Sequence, residues 1–149
     1  MSKTELTQAQ ADELLQMEKH HTAEEPWDFP QLGGHIRIPL LSIDKREQFM
    51  LDISRNQINL ERGKFQNRAR TCIVLARIDF GGSSHRNPDD QEIACPHMHI
   101  YREGYGDSWA VPIDPSIFLN VNDVNRTLDD FMGFCNITKP PIINKGLFV

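Results

Sequence analysis

At 149 residues, with 39% hydrophobic and 25% charged residues, the chain has the size and apolar content of one ordinary domain that buries its own core, which excludes a wholly disordered protein. A net charge of −5 excludes strong, non-specific whole-surface attraction to nucleic acid. The three cysteines, Cys72, Cys95 and Cys135, are odd in number and widely spaced, which excludes a zinc ribbon or a redox Cys-x-x-Cys pair and fits reduced thiols in a cytoplasm.

Met1 to Gln16 is polar, without a basic segment leading into an apolar one, and no stretch approaches 18 apolar residues, so neither export nor membrane insertion is expected. Thr7 followed by Gln10 has capping-box spacing, and Leu14 and Met17 supply an apolar face, which predicts a helix from about Thr7 to His21. His20 and His21 then fall at its C-terminus, where the helix dipole favours protonated imidazoles, a structural role. Thr22 to Gly34, with Pro26, Pro30 and Gly33-Gly34, reads as an irregular connection.

From His35 onward β-type runs succeed one another: His35 to Leu41, Gln48 to Ser54, Gln57 to Leu60, Ala69 to Phe80, Cys95 to Arg102 and Ser108 to Ile113. Arg55-Asn56 offers a hairpin, Gly81-Gly82 ends the longest run, and Gly104 to Asp107 makes a tight turn. Asp123 is a plausible N-cap, and Val124, Leu128, Phe131, Met132 and Cys135 repeat at helical spacing as one core stripe. Pro140-Pro141 stops any helix, and Ile142 to Val149 is apolar enough to dock. The expectation is a single α+β domain over residues 1–149, with an antiparallel sheet of about five or six strands packed with an N-terminal and a C-terminal helix.

Chemistry concentrates in two places. Between Glu61 and Ile78 stand Arg62, Lys64, Arg68, Arg70 and Arg77 against the single acid Glu61, a basic stretch whose bland reading is a solvated strand and turn balancing nearby acids. In Cys95 to Arg102, a two-residue period places Cys95, His97, His99 and Tyr101 on one face and Met98 and Ile100 on the other. Successive same-face positions lie about 6.6 Å apart, so His97 and His99 can converge on one ion or phosphate, whereas Cys95 and His99, about 13 Å apart, cannot unless the strand bends. His85 lies in the polar loop that feeds this strand. If the loop folds back, His85, His97 and His99 offer either three nitrogen ligands for a divalent transition metal or an acid and base titrating near neutrality. Asp79, Asp89 and Glu103 could orient an imidazole or complete a metal shell, and Arg77, Arg86 and Arg102 could hold an anion, most simply a phosphate. No nucleophile elbow, P-loop, Rossmann fingerprint or His-Glu-x-x-His is present.

The segments Leu51 to Arg55, Asn67 to Arg70, Asp79 to Gly82, His85 to Asp89, Cys95 to His99 and Tyr101 to Asp107 resemble a family of small bacterial proteins of unknown function, often carried on prophages and other mobile elements. The likeness covers nearly the whole chain. It implies a cytoplasmic accessory protein of mobile-element type, a setting rich in toxin nucleases and in inhibitors of host defence.

Two readings follow. In the first, the chain is a toxin-like nuclease cleaving RNA or DNA, with His97, His99 and His85 as acid and base and Arg70, Arg77 and Arg102 stabilising phosphorane charge. In the second, it is a non-catalytic inhibitor that binds a host or phage protein, an antitoxin or a defence factor, through its acidic surface, with the histidines serving as structure. Convergence of the three histidines and an arginine in an open cleft would favour the first reading. Buried, mutually distant histidines would favour the second.

Overall fold

Alternation of buried and partly exposed residues drives the architecture. In Gln48–Arg55 the side chains of Phe49, Leu51 and Ile53 are buried, and the intervening Asp52 carries the polar face; a strand with this pattern must lay one side on a core. The computed structural model describes residues 5–57 and 62–145. In chain order its elements are α1 (Gln8–Gln16), β1 (Lys19–His20), β2 (Trp27–Asp28), β3 (His35–Ser42), β4 (Gln48–Arg55), β5 (Gly63–Ala69), β6 (Ile73–Phe80), β7 (His85–Arg86), β8 (Glu92–Ile93), β9 (His97–Ile100), β10 (Ala110–Pro112), α2 (Val124–Phe134), β11 (Ile137–Lys139) and β12 (Ile143–Asn144).

The expected α+β balance is overturned, because the protein is mostly β. Among the described residues one sheet holds eight strands in the order β10-β9-β6-β5-β4-β3-β1-β11, and β12-β2 and β7-β8 form two small pairs. The large sheet is mixed, since β1 pairs in parallel with β11 while its other pairs are antiparallel. Helix is confined to α1 and α2, of 9 and 11 residues. Strands of two or three residues such as β1 and β11 are too short to show a two-residue period, which is why five or six strands were expected and not eight.

The run Ala69 to Phe80 is not one strand. Arg70 and Thr71 turn the chain with positive φ values of 51° and 66°, conformations usually announced by Gly or Asn, so no turn residue signals the β5–β6 hairpin. Of the strand expected over Gln57 to Leu60 only Gln57 is described, and it lies in a bend after β4; the rest of it and part of the tail lie outside the described residues. A bulge in β6 matters more. Asn67 faces Ala76 and Arg68 faces Val74, leaving Leu75 unopposed. The bulge reverses the strand's facing, so Ile73 and Leu75 are buried on one side of it and Ala76, Ile78 and Phe80 on the other, which turns Arg77 and Asp79 away from the core.

Both helices complete that core. The capping box of Thr7 and Gln10 starts α1 as expected, and the Asp123 side chain caps α2 by accepting from the Arg126 amide. Phe131 of α2 meets Phe65 of β5 with ring centres 6.3 Å apart. The Tyr101 hydroxyl donates to the Leu6 carbonyl and accepts from the Leu6 amide, so Tyr101 anchors the N-terminal segment instead of joining the histidine face.

The first helix ends at Gln16, not His21, because Met17 is extended. His20 and His21 therefore do not meet the helix dipole; His20 pairs with Glu18, and His21 accepts from the Trp27 indole. The cation at the helix end is Lys19. Fully buried, its ammonium donates to the carbonyls of Leu15 (2.8 Å) in the last turn of α1, of Met17 (2.9 Å) just past it, and of Cys135 (2.7 Å) just past α2, so one charge closes two helix C-termini. Burial pushes its pKa down to about 8, which leaves it charged at neutral pH. Lys19→Met strands these carbonyls, and we expect a loss of about 2–4 kcal/mol in urea denaturation; an unchanged midpoint would show that the helix ends need no shared cation.

Candidate functional site

Register assembles the site. In antiparallel pairing directly opposed residues share a face. Across the sheet, Ser54, Lys64, Asp79 and His97 oppose one another from β4 to β9, and Asp52, Gln66, Arg77 and His99 form the next row. These rows lie on the face away from the core, and at β6 and β9 they bring Arg77, Asp79, His97 and His99 into one block. The two-residue period read from the sequence places both histidines here correctly. Cys95 falls before the strand begins, and its sulfur instead contacts the Gly82 amide and the Asp79 carbonyl.

The loop that follows β6 folds back over this block. Gly81 turns the chain with a φ of 68°, and β7 pairs with β8 so that His85 opposes Ile93. Asn87 pins the loop: its amide donates to the Ala110 carbonyl and its oxygen accepts from the Ala110 amide, both buried. His85 consequently stands with its ring centre 4.6 Å from that of His99 and 6.0 Å from that of His97, while His97 and His99 are 5.0 Å apart. Asn87 was not singled out in the sequence, although the Asn87-Pro88-Asp89 turn in which it sits is a visible signal.

Each imidazole gives one nitrogen to a backbone carbonyl. His97 Nδ1 reaches Ala94 (3.3 Å), His99 Nδ1 reaches Asp107 (2.7 Å) and His85 Nε2 reaches Ser108 (2.8 Å). A carbonyl only accepts, so these partners assign the proton to the bonded nitrogen and leave a lone pair on the other nitrogen of each neutral ring. For His97 and His99 that other nitrogen, Nε2, faces Asp79 Oδ2 at 3.4 and 3.5 Å, which is an ion-pair separation longer than a formed hydrogen bond.

Asp79 is the electrostatic centre. Arg77 grips it with two hydrogen bonds, Nε to Oδ1 at 2.7 Å and Nη2 to Oδ2 at 3.1 Å, and reaches Asp107 with Nη1 at 3.0 Å. Burial works against the charged carboxylate, but His99, whenever its Nε2 carries a proton, and Arg77 more than reverse this and hold Asp79 well below the usual carboxylate range. Burial also pushes His97 below its ordinary value, against the opposing pull of Asp79, so His97 favours the neutral imidazole.

The block opens into a cleft of about 400 Å³. Asp79, His97 and His85 stand in its wall together with the basic side chains of Arg55, Arg62, Lys64 and Arg77. His99, only 1% exposed, sits behind them and borders a second opening with His85, Arg77 and Arg86. Arg62 and Lys64 came from the basic stretch of the sequence but were not expected at a site; among the described residues neither has an acidic partner. Arg68 and Arg70, by contrast, behave as the bland reading of that stretch supposes, pairing with Asp52 and Glu47.

Two of the expected phosphate ligands lie elsewhere. Arg70 occupies the β5–β6 turn at the opposite end of β6, roughly 20 Å of strand from Asp79, and Arg102 stacks over the Trp109 ring at 4.1 Å. Arg77 is at the site with its guanidinium divided between two carboxylates. Of the suggested orienting acids only Asp79 meets an imidazole; Glu103 accepts from the Gln8 amide and Asp89 from the Gln91 amide.

Removing the Asp79 carboxylate leaves the mostly buried Arg77 with Asp107 alone. Asp79→Ala should cost about 2–4 kcal/mol in chemical denaturation, while Arg86→Ala, which breaks only an exposed pair with Glu92, should cost less than about 0.5 kcal/mol; equal effects would contradict the central place of Asp79.

No helix among the described residues is long and apolar enough to cross a membrane. No curated protein and no solved structure matches the chain. A family model does match residues 6–137, with the histidine block and its loop inside the match, and the chain belongs to that family, described as Family of unknown function (DUF6978).

Proposed function

We propose that the protein is a small nuclease that cleaves phosphodiester bonds of RNA or DNA in the cleft beside β6 and β9. The observation that carries this reading is the opening of imidazoles and cations into one space: four basic side chains against the single carboxylate of Asp79, with His85 and His97 in the same wall. A polyanion is drawn to such a cleft even on an acidic protein, because the local field and not the net charge governs approach at short range. Buried and mutually distant histidines would have supported a non-catalytic binder; here His97 and His99 are buried, but the three ring centres stand 4.6 to 6.0 Å apart and His85 and His97 reach the cleft wall.

In this reading Arg62 and Lys64 hold the phosphate and its neighbours. The attacking oxygen is activated at the Asp79, His97 and His99 group, and Arg77 keeps the Asp79 carboxylate charged and oriented. His85, partly exposed and carried by the folded-back loop, serves proton transfer at the leaving oxygen. The proposed setting is a cytoplasmic accessory protein of mobile-element type, for which an antitoxin or a host defence factor is the natural protein partner.

The test is cleavage of labelled RNA, single-stranded DNA and duplex DNA by the purified chain. We expect turnover of at least one substrate, a fall in kcat of about 10²-fold or more for His97→Ala and His85→Ala, and a raised KM with a shallower salt dependence for the Arg62→Ala, Lys64→Ala double variant. A folded wild type that leaves all three substrates intact removes the proposal.

A further inference from the structure

We infer that Asp79 Oδ2, His97 Nε2 and His99 Nε2 form a binding site for a single divalent transition-metal ion of the zinc class. The inference goes beyond the nuclease reading and stands independently of it. Three observations carry it. The first is convergence: one ligand atom from each of the three residues lies within 4.8 Å of the other two. The carboxylate oxygen is 3.4 and 3.5 Å from the two nitrogens, whereas a tetrahedral ion with bonds of about 2.0–2.1 Å spaces its donors about 3.3–3.4 Å apart. A six-coordinate ion with similar bonds would need about 3.0 Å between neighbours, so the two oxygen–nitrogen spacings lie nearer those of a four-coordinate ion.

The second observation is an orphaned atom. His99 is 1% exposed, and its Nε2 is buried without a hydrogen-bond partner. Because Nδ1 donates to the Asp107 carbonyl, the neutral ring turns a lone pair on Nε2 toward an oxygen of Asp79 that also carries only lone pairs. Two acceptors facing one another in a buried place repel unless a cation or a proton lies between them. His97 repeats the arrangement from the neighbouring position, with Nδ1 directed to the Ala94 carbonyl.

The third observation is the set of outer contacts. An imidazole that ligates a metal usually donates its other nitrogen to a carbonyl or carboxylate, which fixes the ring and its tautomer; both rings are held in this way. Arg77 plays the same part for Asp79, leaving Oδ2 capacity for a further partner after its two hydrogen bonds. Two imidazoles and one carboxylate suit zinc-class ions better than magnesium or calcium, which take oxygen donors. Asp79 and His97 stand in the wall of the cleft, and His99 borders the second opening. The sequence offered His85, His97 and His99 as nitrogen ligands with Asp79, Asp89 or Glu103 to complete the shell; among the described residues the three that converge are Asp79, His97 and His99.

The test uses tag-free full-length protein, stripped with a chelator and dialysed, titrated with Zn2+ by calorimetry and with Co2+ by visible absorption, beside Asp79→Asn and His97→Gln. We expect one ion per chain, the intense visible bands of four-coordinate Co2+, a rise in Tm with saturating Zn2+, and binding at least ~10-fold weaker in each variant that circular dichroism shows to be folded. Failure of the wild type to bind, weak bands of six-coordinate Co2+, or variants that bind like the wild type would overturn the inference. If the variants do not fold, the wild-type stoichiometry and Co2+ spectrum decide it. Oligonucleotide cleavage is read on the same stripped and loaded samples. Ion binding without cleavage overturns only the nuclease proposal, and cleavage by a chain that binds no ion overturns only the metal site.

Discussion

A carboxylate on the covered part of a sheet has to be compensated, and the Asp79 carboxylate organises the region around it for that reason. Its two oxygens take the Arg77 guanidinium from the same strand and face two imidazoles from the next. Neither imidazole contact survives a one-residue slip of β9 against β6, because a slip turns His97 and His99 to the opposite face. The register of that strand pair is therefore tied to electrostatics on one side and to the burial of Ile78 and Met98 on the other. The two demands agree, as they do in a sequence that specifies one structure.

How Arg77 and Asp79 come to face this way depends on the bulge at Leu75. Without the extra residue, β6 would continue the facing of Ile73 and Leu75 and would carry Arg77 and Asp79 into the core. With it, the strand serves the core at both ends and still presents a charged pair on the other face. The loop from Gly81 to Ala94 then covers the pair, held by Asn87 on the Ala110 backbone. What results is a group of imidazoles withdrawn from solvent on one side and reached from a basic cleft on the other, an arrangement in which charge interactions are less screened than on an open surface. At the other edge of the sheet, Lys19 performs a comparable service for the fold, since its buried ammonium joins the ends of both helices where β1 and β11 meet.

Several features were legible along the chain. The capping box at Thr7, the N-cap at Asp123 and the apolar stripe of α2 are local signals, each contained within a few residues, and each is observed. The alternation in β3, β4 and β9 is equally local. Signals failed where the pattern was too short or the conformation unusual for its residue type. Lys19–His20 and Ile137–Lys139 offer too few positions for a period, and Arg70-Thr71 adopts left-handed backbone without Gly, Asn or Asp. Extending the first helix through His21 made the same kind of error, because helical spacing up to Met17 says nothing about where a strand partner will stop it.

What the sequence by itself determined is the set of chemically able side chains and their local facing: His97 and His99 on one side of a strand, His85 in a loop beside it, and basic residues between Arg62 and Arg77. Only the tertiary structure decided which of them meet. Asp79 was one of three candidate acids until β6 paired with β9; Arg70 and Arg102 were as plausible as Arg77 until the hairpin and the Trp109 stack drew them away; Arg62 and Lys64 joined the site through β5. The reason is physical. Facing along a strand follows from backbone geometry over two residues, whereas a neighbour across strands follows from register, bulges and loop closure, which depend on burial summed over the whole sheet.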